Sequence, residues 1–123
     1  MEIRFCFHVT DSKYIACRDF YEKLLGWSVS REWNRGPSDQ GVVFCVGAVH
    51  LELLRGGASE ATRCDPSFYL YIENENLVAL WTDLQALGCV PSKRMRHPWG
   101  HESFVVFDPA GFKLEFFCER RVS

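Results

Sequence analysis

Hydrophobic and polar positions follow the same order in two successive stretches of the chain. Residues 1–54 predict a strand, a helix and then three strands, and residues 67–118 predict these five elements again, among them strands at 67–73 and 89–95. The glycines that end the two predicted helices, Gly26 and Gly88, are 62 positions apart. A nearly constant offset between dissimilar segments is typical of a structural repeat. The pattern therefore predicts two βαβββ modules.

Two glutamates near the ends of matching strands, Glu52 and Glu115, are 63 positions apart and support the same repeat. Residues 55–66 have the composition of a linker, and residues 119–123 form a short C-terminal tail. The predicted fold class is α+β, with two βαβββ modules whose curved mixed sheets surround a concave cleft. One module alone would leave a sheet face uncovered, so two modules together are expected to enclose a small-molecule cavity.

Alternation in the first strand predicts which side chains face this cleft. The apolar set should pack on the first helix, so Arg4 and His8 should point to the opposite, concave side. The apolar residues of that helix fall near helical spacing: Ile15, Phe20, Leu24 and Leu25. A histidine that lines a pocket and hydrogen-bonds a neighbour is the simpler interpretation of His8, and a general base or metal ligand is the alternative.

The other candidate cleft residues come from the same alternation. His50 shares a strand face with Glu52, and Tyr69 and Tyr71 alternate with apolar neighbours. Phenol rings suit a ligand with both apolar and polar parts, although they also fill barrel cores. Trp99 lies between Pro98 and Gly100, with His97 and His101 on either side. This segment is interpreted as a flap over a pocket mouth, with a surface loop as the alternative.

Composition excludes several classes of function. The 123 residues carry a net charge of −2, so no basic face for nucleic acid is expected. No apolar run approaches the length of about 20 residues that spans a membrane. The first residues lack the features of a signal peptide, so a cytoplasmic location is expected. The six cysteines include no CxxC pair and are interpreted mainly as small buried hydrophobes rather than disulfides or zinc ligands.

Three segments resemble the vicinal oxygen chelate superfamily, which contains glyoxalase I, extradiol dioxygenases, fosfomycin-resistance enzymes and bleomycin-resistance proteins. They are FYEKLLGW in the first half, the LEL that contains Glu52, and PWGHESFVVFDPAGFKLEFF near the end. The resemblance covers nearly the whole chain. It is specific for the fold, but the fold hosts many activities and does not determine one.

The resemblance also implies four metal positions, and this chain departs from the family at two of them. Both glutamate positions keep glutamate, at Glu52 and Glu115, whereas the remaining two fall on Arg4 and Ser67. A guanidinium is permanently cationic and repels a divalent ion. We therefore expect no resident metal and predict an ion pair between Arg4 and Glu52. A register shifted by two residues would place Cys6 at the first position.

The resemblance favours a protein that binds a small aromatic or heterocyclic molecule in a cleft between its modules. A homodimer is expected because two half-sheets leave apolar edges and open clefts, which two-fold dimers most often close. Neither nucleic acid nor a membrane is expected as a partner. The alternative is a metal-dependent lyase, isomerase or extradiol dioxygenase, with a divalent ion held by Glu52, Glu115 and His8. A structural dimer with a vestigial cleft is a third interpretation. The predicted ligand-binding residues are Arg4, His8, His50, Glu52, Tyr69, Tyr71, Trp99, His101 and Glu115.

Overall fold

The computed structural model describes residues 1–56 and 67–120, and the chain divides into two compact units, Met1–Arg63 and Cys64–Ser123. Most of the predicted linker and the last three residues of the predicted tail lie outside the described residues. The elements of the first unit are β1 Arg4–Val9, α1 Asp11–Asp19, a π-helical segment Phe20–Leu24, β2 Ser28–Asn34, β3 Gln40–Val46 and β4 Val49–Arg55. Those of the second are β5 Leu70–Glu73, α2 Leu77–Ala86, β6 Met95–Arg96, β7 His101–Phe107 and β8 Lys113–Glu119.

Each unit contains one four-stranded mixed sheet, and the two sheets share one topology. The strand orders are β1-β4-β3-β2 and β5-β8-β7-β6. In each sheet the first strand pairs in parallel with the fourth strand, and the remaining pairs are antiparallel. A parallel neighbour needs a crossover connection, and α1 and α2 lie in the segments that provide it. This arrangement confirms the predicted α+β fold of two βαβββ modules.

In the first module, alternation divides β1 and β4 as predicted. Leu51 and Leu53 are fully buried, whereas Arg4, Cys6 and His8 are exposed on the other side of the sheet. We call the side of each sheet that points away from its own helix the distal face. Because β1 and β4 pair in register, Cys6 lies directly beside Glu52 on this face.

The predicted inner side of the first helix is wrong in part, since Ile15 is 55% exposed. The helix instead buries Tyr14 and Cys17, and the segment after it buries Phe20 and Tyr21. The π-helical segment Phe20–Leu24 has more residues per turn than an α-helix, so it rotates two adjacent aromatic rings into the core. Tyr21 stacks on Trp27 at 5.1 Å between ring centroids.

In the second module, two predicted strands are shorter than expected. The strand predicted for residues 89–95 begins only at Met95, because Pro91 has no N–H to donate to a neighbouring strand. Ser92 still lies beside β7, where it makes two isolated hydrogen bonds to Val105. Likewise β5 begins at Leu70, so Tyr69 precedes the strand. The core contains buried apolar side chains from the helix and the sheet: Leu77, Leu84, Phe104, Val106, Leu114 and Phe116.

Two glycines end the helical segments as predicted. Gly26 and Gly88 have φ angles of 70° and 92°, in the left-handed region that only glycine adopts without strain. Neither helix of the described residues has the length and apolar character that a membrane crossing requires.

The prediction of mainly buried cysteines holds for Cys17 but is wrong for Cys6 and Cys45, which are exposed. Cys6 and Cys45 lie at strand positions whose side chains point to the distal face. Apolar neighbours in the sequence do not make a side chain on that face buried. None of the five described cysteines forms a disulfide.

Candidate functional site

The distal face of the first sheet carries the predicted ion pair. Arg4 Nη1 donates a hydrogen bond to Glu52 Oε1 at 2.9 Å, which confirms the predicted ion pair. The same guanidinium binds Glu2, with Nε 3.2 Å from Oε1. Hydrogen bonds to Glu2 and Glu52 raise the pKa of Arg4, and Arg4 in turn lowers the pKa of Glu2. Arg4 therefore carries a permanent charge shared between two carboxylates.

Cys6 and His50 flank this ion pair. The Cys6 thiol donates to Glu52 Oε2 over 3.5 Å, and burial followed by the charge of Glu52 raises the pKa of the thiol. His50 Nδ1 lies 3.3 Å from Glu2 Oε1, in a geometry that makes no hydrogen bond among the described residues. Both oxygens of Glu52 are thus engaged by protein groups.

The distal face of the second sheet carries a different carboxylate arrangement. Glu115 is only 7% exposed and accepts a hydrogen bond from the Ser103 hydroxyl at 2.6 Å. His97 Nε2 lies 2.7 Å from the same hydroxyl and 3.8 Å from Glu115 Oε2. Because a serine hydroxyl has one proton and gives it to the carboxylate, His97 Nε2 acts as the donor to Ser103. A buried chain His97–Ser103–Glu115 results.

Next to this chain lies a flat group of three rings. The Tyr71 hydroxyl and His101 Nδ1 are 2.9 Å apart, and the two ring planes differ by 20°. Phe117 stacks on both rings, with centroid distances of 4.3 Å to Tyr71 and 4.4 Å to His101. Since the Tyr71 and His101 centroids are 5.8 Å apart, these two rings lie edge to edge over Phe117. We call Tyr71, His101 and Phe117 the aromatic platform.

Trp99 lies beside the aromatic platform in the turn between β6 and β7. His97 N–H donates to His101 O, and Gly100 N–H donates to His97 O, which closes the turn. The Trp99 ring is 63% exposed, stacks on His97 at 4.4 Å and presents its edge toward His101 at 6.4 Å. Its position fits the predicted rim, while the role of a flap stays a prediction.

Burial raises the pKa of the Tyr71 phenol, Trp99 partly offsets this effect, and the charge of Glu115 adds to it. The phenol therefore keeps its proton throughout the neutral range and stays able to hydrogen-bond His101. Tyr71 thus gives the aromatic platform a neutral polar edge.

The remaining predicted residues lie apart from these two groups. His8 Nδ1 donates to the Gly56 carbonyl at 3.3 Å rather than joining Arg4 or Glu52. Tyr69 is 39% exposed and has the Lys113 ammonium over its ring, 4.1 Å from the centroid. The structure thus gathers the predicted residues into an Arg4–Glu52 group in the first module and a Tyr71–His101–Glu115 group in the second.

Sequence reasoning missed Ser103 and Phe117 as members of the site. Phe117 is two residues from Glu115 on one strand, and Ser103 pairs with Phe117 across β7 and β8, so all three share the distal face. Period-two alternation applied to β7 and β8 would have found them. His97 was noted only as a loop residue.

Comparison with known proteins identifies what the chain is similar to. The family model described as Glyoxalase/Bleomycin resistance protein/Dioxygenase superfamily matches residues 7–116. No curated protein matches the chain.

Among solved structures, a glyoxalase family protein from Enterococcus faecalis has a TM-score of 0.73 at 23% identity, covering 95% of this chain and 96% of its own. TnmS3, an antibiotic binding protein from Streptomyces sp. CB03234, has a TM-score of 0.72 at 18% identity, with coverages of 97% and 95%. A lactoylglutathione lyase from Agrobacterium tumefaciens has a TM-score of 0.68 at 19% identity, with coverages of 96% and 92%. Identities this low show a shared fold only.

Proposed function

Because the chain belongs to the glyoxalase/bleomycin resistance protein/dioxygenase superfamily, we propose that it binds a small planar aromatic or heterocyclic molecule and holds no resident metal. The observation that carries this proposal is the aromatic platform, in which Tyr71 and His101 form one hydrogen-bonded layer on Phe117. The printed name of TnmS3 offers a precedent for antibiotic binding on the same fold.

The aromatic platform suits a planar ligand because one layer of it is still accessible. Tyr71 is 39% exposed although Phe117 covers part of its ring. Offset stacking of two rings contributes about 0.5–1.5 kcal/mol beyond the burial of apolar area. The hydrogen bond between Tyr71 and His101 fixes both rings before a ligand arrives, so little side-chain entropy is lost on binding. We expect Trp99, whose ring lies 6.4 Å from His101, to cover one side of a bound ring.

Glu115 supplies the polar counterpart to the aromatic platform. It is the register partner of Tyr71 across β5 and β8, and no Lys or Arg of the described residues forms an ion pair with it. We propose that its carboxylate selects ligands with a cationic or hydrogen-bond-donating substituent. The contacts predicted for His8, His50 and Tyr69 stay predictions, as does the homodimer.

The donor set at the family's metal positions does not fit a divalent ion. Arg4 Nη1 lies 2.9 Å from Glu52 Oε1, so a guanidinium takes the carboxylate oxygen that a metal would require. Within residues 1–56 and 67–120, no three His, Cys, Asp or Glu side chains form a group that could hold a metal. Zinc and related ions favour imidazole or thiolate ligands beside carboxylates, and neither Arg4 nor Ser67 supplies one. These observations support a metal-independent function.

The alternative is a metal-dependent lyase, isomerase or extradiol dioxygenase that uses Glu52, Glu115 and His8. Its support is that both glutamate positions of the family keep a carboxylate, and that a lactoylglutathione lyase shares the fold. Against it, Glu52 is bound to Arg4 and His8 to the Gly56 carbonyl.

The test of the proposal is a panel of planar aromatic and heterocyclic compounds, measured by Trp fluorescence and thermal denaturation. A true ligand should quench fluorescence in a saturable way and raise Tm with occupancy. Trp99→Phe should remove the quenching, which separates Trp99 from the other three tryptophans. Elemental analysis of the purified protein and thermal shifts with zinc, nickel, manganese and ferrous ions run in parallel.

Matched variants on one face locate the binding site. Tyr71→Ala should lower affinity clearly, because it removes half of the hydrogen-bonded layer. Phe107→Ala removes an exposed aromatic ring at the far end of β7 and should change affinity little. If no compound of the panel has an effect while a divalent ion stabilises the protein, the metal-dependent alternative is correct.

A further inference from the structure

A cavity lies entirely within the first module, at the end of the distal face. Its volume is about 150 Å³, and its polar lining comes from His8, Ser38, Asp39, Gln40 and Arg55. Ligand pockets for drug-sized molecules measure about 300–1,000 Å³, so this cavity fits a small chemical group rather than a whole ligand of that size.

The hydrogen-bond acceptors around this cavity are already used. Asp39 Oδ2 accepts from Arg35 Nε at 2.7 Å, and Asp39 Oδ1 accepts from Trp33 Nε1 at 3.2 Å. The hydrogen bond from Arg35 lowers the pKa of Asp39, so this carboxylate is ionised and its charge is compensated. Gln40 Oε1 accepts from Arg55 Nη1 at 2.8 Å, and the Gly56 carbonyl accepts from His8.

The donors of the cavity are in surplus. Arg55 uses Nη1 for Gln40 and Nε for Asp11, at 3.1 Å, which leaves Nη2. The side-chain amide of Gln40 keeps two N–H groups, and Ser38 keeps its hydroxyl. In the part of the chain that the structure describes, none of these three donor groups has an acceptor. The Arg55 side chain is held in place by its two partners and lies over the Tyr14 ring at 5.7 Å.

We propose that this cavity is a binding site for a small oxyanion group, a carboxylate or a phosphate. Ser38, Gln40 and Arg55 line one cavity with hydrogen-bond donors that suit an acceptor-rich ligand, and hydrogen bonds from a guanidinium to an oxyanion are about twice as strong as neutral ones. Because Asp11 and Asp39 offset the charges of Arg55 and Arg35, selectivity comes from directed donors and the affinity is weak. The site is separate from the aromatic platform and does not depend on the function proposed for it.

The experiment is a ¹H–¹⁵N NMR titration of the full chain with inorganic phosphate and with acetate, at constant pH and ionic strength. We expect saturable shifts of the Ser38, Asp39, Gln40 and Gly56 amides and of Arg55 Nε. Binding of either anion supports the site, and binding of one alone identifies the oxyanion as a carboxylate or a phosphate. Shifts with tetramethylammonium but with neither anion, or no saturable shift, would overturn the proposal.

Gln40→Glu is the decisive variant, because its carboxylate keeps the bond to Arg55 but replaces two donors with an acceptor. Anion affinity should fall at least about tenfold, since one charge-assisted hydrogen bond is lost and a like charge is added. Gln85→Glu makes the same chemical change on the exposed side of α2 and should leave anion binding unchanged. Equal affinities in Gln40→Glu and the unchanged protein would contradict the assignment. Loss of aromatic binding at Tyr71 would not affect this result, so the two proposals can fail separately.

Discussion

The two modules place a glutamate at the same register position and surround it with different partners. Glu52 pairs with Cys6 and Val43, and Glu115 pairs in the same way with Tyr71 and Val105. In the first module a permanent cation, Arg4, binds the carboxylate. In the second module the Ser103 hydroxyl donates to the carboxylate, and the His97 imidazole in turn hydrogen-bonds Ser103.

This difference is the reason why we propose a ligand site in the second module. A carboxylate neutralised by arginine has little left to offer a cation, whereas Glu115 is hydrogen-bonded without being neutralised by Lys or Arg. Beside Glu52 the neighbouring position holds a thiol, and beside Glu115 it holds Tyr71 of the aromatic platform. The two copies thus share one carboxylate register, and in the proposed function the first provides charge compensation while the second provides ligand contact.

The largest expected effect comes from removing the buried hydroxyl of the second module. Ser103→Ala leaves Glu115 and His97 without their shared partner, and an unsatisfied buried group costs about 1–3 kcal/mol of unfolding free energy. Urea denaturation followed by circular dichroism measures this loss. The control Ser28→Ala lies at an exposed strand end and should change stability by less than about 0.5 kcal/mol. Equal effects of the two variants would show that the His97–Ser103–Glu115 chain contributes nothing.

A smaller effect is expected from the ion pair of the first module. Arg4→Ala should lower the midpoint of unfolding, because Glu52, whose side chain is only 13% exposed, loses its cation. The arginine side chain is 34% exposed, so water and salt screen the pair and the loss should shrink in high salt. Lys23→Ala, which breaks the more exposed pair with Asp19, should change the midpoint less. A salt-independent loss would contradict the role of charge compensation.

The smallest expected effect is on the reactivity of the Cys6 thiol rather than on stability. Arg4 lowers the pKa of Cys6 against the larger effects of burial and of Glu52, which raise it. Arg4→Ala should therefore raise the thiol pKa further, reduce the thiolate fraction near neutral pH and slow alkylation of Cys6. Arg4→Lys keeps the charge and should retain the original rate. Mass spectrometry of the Cys6 peptide after timed alkylation measures both; faster alkylation in Arg4→Ala would show that access controls the rate instead.

Alternation and turn residues were enough to predict most of the fold. They placed most of the strands and the helix ends at Gly26 and Gly88. Together with the family resemblance they also predicted the meeting of Arg4 with Glu52 across β1 and β4. They failed at Ile15, because a π-helical segment that no periodicity announces rotates the next residues into the core. They also failed at residues 89–95, where Pro91 interrupts a run that otherwise reads as a strand.

The chemistry of the site was less predictable than its location. Alternation along β7 and β8 indicates that Glu115, Ser103 and Phe117 share a face. The hydrogen bond from Ser103 to Glu115, however, joins diagonal neighbours and depends on their rotamers. The edge-to-edge pairing of Tyr71 and His101 connects β5 and β7 over an intervening strand. Contacts of this kind arise from tertiary packing and have no local signature in the chain.

The most direct measurement of the central claim is an NMR titration with an aromatic compound from the panel, observing the ring signals of Tyr71, His101 and Phe117. A planar ligand stacked on the aromatic platform should shift these signals upfield through its ring current, with the Tyr71 and His101 rings moving most. The signals of Arg4 and Cys6 in the first module should stay in place. Platform signals that no compound moves, or residues around Glu52 and Glu115 that nickel or zinc perturbs instead, would contradict metal-independent binding at the aromatic platform.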